Sequence, residues 1–300
     1  MASAEDESPI ENLIITGKGH RATKALESVK HRVDKDSTIC FMNDGLGVLE
    51  DVRSKFFNDT TQRPTLLYGH MSHRLGLNKE HDAVKEICSG QVMLSMPANR
   101  HGKRHGLQQL TENSHFLESF AKADGLRGAF SPLDAWLRFK LPSVIFESTA
   151  EPICLLFDIS YEGIIQNPAA MQMMHKLLDE ILLVVEALPE VQGSVIIRDF
   201  VRGPGPKRLL YNMLNEKRKQ DSELRWRVEN GLPTDINFLN GYFVSRAKKL
   251  GLDIRSNMMM WNMVKSKHSI AIEKQNSYIP MEETSVPSDL GFKFRTRPRK

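Results

Sequence analysis

The chain has 300 residues, 40% of them hydrophobic and 26% charged, with a formal net charge of +4. This supports one or two globular domains with a sizeable core and excludes a collagen-like or low-complexity polymer, while so small a basic excess does not by itself indicate nucleic acid. Three cysteines, Cys40, Cys88 and Cys154, stand far apart with no CxxC pair, which excludes a disulfide framework and a cysteine-based zinc signature.

In chain order, the first segment is ENLIITGKGHRATKALESVKHRVDKDSTICFMNDGLGVLEDV, residues 11–52. Its apolar pattern predicts a strand over 13–16, a helix over 22–32, a strand over 37–42 and a helix over 49–56. Such alternation favours a parallel sheet with crossover helices, and RPTLLYGHMSHRL and GQVMLSM supply further strands. From about residue 107 the period becomes 3.6, most clearly in MQMMHKLLDEILLVVEAL, so an α/β part over 1–106 gives way to a helical part over 107–274. The polar tail, 275–300, has few packing residues.

Residues 231–254, GLPTDINFLNGYFVSRAKKLGLDI, predict a helix with sharp ends. Gly231 and Pro233 interrupt what precedes it, Thr234 is a capping residue, and Asp235 places a carboxylate at the positive end. Ile236, Leu239, Phe243, Ala247 and Leu250 recur at three- and four-residue steps, and Gly251 closes the last turn. Met258, Met259 and Met260, beside Trp261, are expected to fill core, as soft side chains commonly do.

Several phrases together resemble fungal members of the ketopantoate reductase (2-dehydropantoate 2-reductase) family. They are NLIITGKG, FMNDGLGVLEDV, RPTLLYGHMSHRL, EPICLLFD, LLVVEALPEVQG and TDINFLNGYFV followed by MVKSKH, in family order across residues 10–268. The resemblance implies a Rossmann-like domain joined to a helical domain of the 6-phosphogluconate-dehydrogenase type. It also implies an ancestral NADPH-dependent reduction of 2-dehydropantoate.

Two departures from the family pattern bear on activity. A Rossmann fold receives the dinucleotide pyrophosphate on a Gly-rich turn after its first strand, and no such turn precedes Leu13. Gly17 and Gly19 in GKG do not replace it, because the family places that strand deeper in the domain. The expectation is an incomplete Rossmann-like domain. The second departure concerns the family's lysine acid. With LRFKLPSVIFESTAEPICLLFD anchored on EP and LLFD, Ser143 falls at the lysine position, and Glu147 and Glu151 fall at two asparagine positions that hold substrate. A three-residue shift would put Lys140 in the acid role instead, and the ungapped register is preferred because such a shift turns a helix by most of a turn.

By the same resemblance, Lys18 and Asn43 face the cofactor, Asp235 replaces an acid near its ribose and amide end, and Ser222 contacts a small carboxylate. Each has a plainer reading as a loop charge, a turn residue or a helix cap. The resulting expectation is a family member with impaired or lost catalysis, using NADPH if active. The alternative is a non-catalytic binding or assembly protein.

The basic residues Lys217, Arg218, Lys219, Arg225 and Arg227, with Trp226 and the tail charges Lys293, Arg295, Arg297, Arg299 and Lys300, make RNA a conceivable partner. Open sheet edges favour a homo-oligomer or a protein partner. His101, His105 and His115 flank NRHGKRHG without a carboxylate or cysteine at ligand spacing, so no metal is expected. The acidic opening MASAEDESP has no signal core, and no apolar run suits a membrane span, so the cytoplasm is the default location with a mitochondrial one left open.

Overall fold

The computed structural model describes residues 8–78, 82–97 and 115–277. The α/β part contains β1 (Asn12–Gly17), α1 (Gly19–Glu27), β2 (Thr38–Asn43), α2 (Val48–Phe56), β3 (Thr65–Met71), β4 (Arg74–Asn78), β5 (Ala83–Cys88), β6 (Val92–Ser95), α3 (His115–Ala121) and β7 (Gly128–Phe130). One sheet runs in the order β1-β2-β3-β6-β7, and β4-β5 form a separate antiparallel hairpin. Strands β1 to β3 are parallel, β6 is antiparallel to β3, and β7 is parallel to β6. The expected α/β start is therefore present. Its sheet also recruits β7 from beyond residue 107, where the sequence placed the change to helix.

The rest is helical: α4 (Leu133–Phe157), α5 (Tyr161–Gln166), α6 (Pro168–Glu186), α7 (Val195–Arg202), α8 (Gly205–Lys217), α9 (Glu223–Glu229), α10 (Asn240–Leu250) and α11 (Arg255–Asn276). Helix α4 is apolar nearly all round, with Leu141, Phe146, Ala150, Ile153 and Leu155 fully buried, so it forms the centre against which the other helices pack. Of the two prolines inside it, Pro152 shapes a neighbouring polar bond. Pro152 has no N–H for the carbonyl of Ser148, and Asn240 donates to that carbonyl from α10 at 2.8 Å. Near the end of α4, where the last carbonyls lack helical partners, Lys267 of α11 donates to Leu155 O at 2.5 Å.

Three local expectations change. The segment expected as one helix from Asp235 is a 3₁₀ turn at Ile236–Phe238 followed by α10, with Leu239 in a non-helical conformation between them. Ile236, Leu239, Phe243 and Ala247 are nonetheless buried, because they serve the same core on either side of the break. Thr234 makes no cap bond to that turn. Of the three methionines expected in the core, only Met260 is buried. Met258 and Met259 are 46% and 56% exposed, since α11 is an outer helix with one packed face. Among the described residues, no helix is long and apolar enough to cross a membrane.

Candidate functional site

The sheet's C-terminal ends meet α4. Lys140, Glu147 and Glu151 are spaced by seven and four residues, so they lie along one side of that helix. Lys140 is 2% exposed, and its Nζ donates to the carbonyl of Asn43 at the end of β2 at 2.5 Å. Asn43 in turn donates from Nδ2 to Gly17 O at 2.9 Å, tying the end of β2 to that of β1. Burial lowers the Lys140 pKa, while the charges of Asp44, Glu147 and Asp235 partly restore it. Ser143 turns its hydroxyl onto its own helix, donating to Lys140 O at 2.9 Å.

The two glutamates have opposite surroundings. Glu151 is buried and accepts three bonds: from the Tyr161 hydroxyl, from Ser222 Oγ at 2.5 Å and from Leu224 N at 3.0 Å. Ser222 also accepts from Arg225 N at 3.1 Å, so it caps α9 while anchoring Glu151. No hydrogen bond reaches the Glu147 carboxylate among the described residues. Burial, followed by the charge of Asp44, pushes its pKa up to about 8, against the pull of Lys18 and Lys140.

Asp235 does not cap its own turn. Its carboxylate crosses to the start of α1, accepting from Gly19 N at 3.1 Å, His20 N at 2.9 Å and His20 Nδ1 at 2.7 Å. A helix N-terminus favours an anion, and here a side chain of the helical part supplies it. Lys18 bridges Asp44 at 3.1 Å and Glu223 at 2.9 Å. Burial opposes the Lys18 charge, but the two carboxylates together hold its pKa above the ordinary value.

Lys18, Glu147, Glu151, Asp221, Glu223 and Asp235 line one cleft. The structure thus gathers Lys18, Asn43, Lys140, Ser143, Ser222 and Asp235 around the sheet ends and α4. Sequence reasoning missed His20 and Tyr161, which hold the two anchored carboxylates. His20 adjoins GKG and carried that much signal, whereas Tyr161 carried none.

The two arginines of α9 are paired with acids. Arg225 pairs with Asp158 and Glu229, each at 2.8 Å, Arg227 pairs with Glu223 at 3.6 Å, and Lys217 sits over the Phe146 ring. Trp226 remains 54% exposed. No group of metal-ligating side chains occurs among the described residues. His101, His105 and the tail charges Lys293 to Lys300 lie outside them.

A mixed sheet whose parallel strands β1 to β3 end against a helical part defines a two-domain, dehydrogenase-like fold. The chain belongs to the ketopantoate reductase family. Family models match in two places, ketopantoate reductase PanE/ApbA over residues 1–95 and ketopantoate reductase PanE/ApbA C terminal over residues 136–268. The cytochrome B translational activator CBS2 of Saccharomyces cerevisiae is 24% identical, covering 90% of this chain and 77% of that protein. The 2-dehydropantoate 2-reductase of Aquifex aeolicus is 22% identical, with 85% and 76% covered. Among solved structures, D-mandelate dehydrogenase with NADH and anilino(oxo)acetate superposes with a TM-score of 0.64 at 18% identity, covering 89% of this chain and 79% of that one, which shows a shared fold.

Proposed function

We propose that this chain keeps the ketopantoate reductase architecture without its chemistry and acts as a non-catalytic binding or assembly protein. The observation that carries this reading is the state of the cleft's carboxylates. Asp235 accepts from Gly19 N and His20 N, so the start of α1 beside GKG has those donors taken by the chain's own carboxylate. Glu147 and Glu151 stand where the resemblance places substrate-holding asparagines. Glu151 spends its carboxylate on Tyr161, Ser222 and Leu224, so it offers an incoming 2-oxo acid none of the donors that an amide side chain would. On this reading the residues present do not fit the nicotinamide dinucleotide of the family's reductases.

Similarity over most of the chain to a translational activator supports a binding role. We propose a second copy of this chain as the partner at the sheet edge. Among the described residues β1 pairs only with β2, and Ile14 is 49% exposed there. An RNA partner would depend on Arg218, Lys219 and the tail charges, since Arg225 and Arg227 of α9 are paired with acids. Salt-sensitive RNA retention lost on removing residues 278–300 would support that version, and no retention would eliminate it.

The test is the family reaction itself, followed as NADPH oxidation on adding 2-dehydropantoate. The expected result is no rate above the substrate-free control. Turnover that disappears in Lys140→Ala would overturn the proposal.

A further inference from the structure

Helix α11, 22 residues long, is packed on one side only, where Asn257, Met260 and Val264 are buried. It is held firmly there. Glu180 of α6 accepts from Ser256 N at 3.0 Å and Asn257 N at 2.9 Å, and Lys267 donates to Leu155 O of α4. The outer side is not the charged face that such a helix usually shows to water. Met259, Met263 and Ile270 are 56%, 44% and 51% exposed there, and with Ser266 they recur at steps of four, three and four residues. That spacing forms one stripe along the helix, the seam along which two helices pack. An apolar stripe on a rigid element marks an interaction surface.

The charges beside the stripe specify what covers it. Arg255 and Glu273 are 18 residues apart, five full turns at 3.6 residues each, so they stand on the same flank at opposite ends. When two copies of α11 meet antiparallel about a two-fold axis near position 264, each Arg255 comes beside the Glu273 of the other copy. In the same register Met259 meets Ile270, and the long Met263 meets the small Ser266. A parallel pair stacks Met263 on Met263 and Ser266 on Ser266, and forms neither ion pair. Both charges are available at the surface: the Arg255 side chain is 83% exposed and holds Asp253 at 2.9 Å, and Glu273 accepts from Ser269 Oγ at 3.4 Å. We propose that α11 is a self-association surface, packing antiparallel on α11 of a second copy through this stripe and two reciprocal Arg255–Glu273 pairs. One helix stripe buries less than a stable pair needs, so the contact is weak and adds to the β1-edge contact without replacing it. It uses a different face of the chain and does not rest on the state of the cleft.

Cross-linking reads the contact. Two chains are mixed in an Ile14→Lys, Cys88→Ser background, which removes the edge contact and the exposed native thiol. One chain carries Met263→Cys and the other Ser266→Cys, and a short bis-maleimide joins thiols that meet. The control uses Lys265→Cys in place of Ser266→Cys, one residue away and turned about 100° off the stripe. The expected result is a covalent pair at least about fivefold more abundant than in the control. Arg255→Glu in both chains, or Glu273→Arg in both, is expected to lower that yield about fivefold, the scale of losing two exposed ion pairs to like-charge contacts. Arg255→Glu in one chain with Glu273→Arg in the other restores it, because each acid again meets an arginine. These side chains are at the surface, so the fold is expected to survive every substitution. A yield equal to the control, or one indifferent to charge reversal, would overturn the proposal. Cross-linking that appears only after removal of residues 278–300 would assign the stripe to the chain's own tail and overturn it as well.

Discussion

Glu147 gives the clearest residue-scale consequence. Its folded pKa of about 8 exceeds the ordinary value of 4.5, so the folded chain holds a proton there that the unfolded chain releases. Its contribution to stability is therefore fully present below pH 4.5 and is lost as pH rises through 8. Glu147→Gln should flatten that slope and raise stability at pH 8 relative to the unsubstituted chain. Urea unfolding of both proteins at pH 6 and pH 8 measures it, and an unchanged slope would place the carboxylate in water. At the same scale, the sequence named the right residues without revealing their directions. Lys140 and Ser143 are three residues apart on α4, and both registers put a polar group near the sheet. The long lysine side chain spans to Asn43, while the short hydroxyl satisfies itself on the backbone one turn back. Register on a helix does not encode that difference in reach.

At the scale of elements, the contact between α1 and Asp235 joins the two parts of the chain. Asp235→Ala removes the acceptor for two backbone N–H groups and is expected to cost about 1–2 kcal/mol, as loss of a helix cap does, with Asp235→Asn costing less. Thermal unfolding monitored by circular dichroism checks the order of the three proteins. Asn240→Ala is expected to cost more, about 1–3 kcal/mol for each buried acceptor left bare, because Ser148 O and Asn257 Oδ1 both lose their donor. The sequence made β1, β2, β3, β6, α2 and α6 legible through period and turn residues, and left β5 and β7 unseen. It gave no sign that α10 starts only at Asn240, since the apolar stripe runs unbroken through Leu239. Nor could it show that Asp235 serves another helix, because capping patterns describe neighbours in sequence and this partner lies 216 residues away.

For the whole molecule, the family architecture was legible from phrase order, whereas the way Asp235 and Glu151 fold back onto their donors was not, because those partners are distant in sequence. The open edge of β1 predicts a concentration-dependent dimer in sedimentation equilibrium, suppressed in Ile14→Lys, where an edge charge blocks strand addition. A monomer at every concentration would remove the second copy as partner. The central claim, that this chain keeps the family architecture without its chemistry, is tested most directly by calorimetric titration of NADPH into the full chain at low salt. The account predicts no saturable heat up to ~1 mM cofactor. Saturable binding in the micromolar range, weakened by Lys18→Ala, would contradict it.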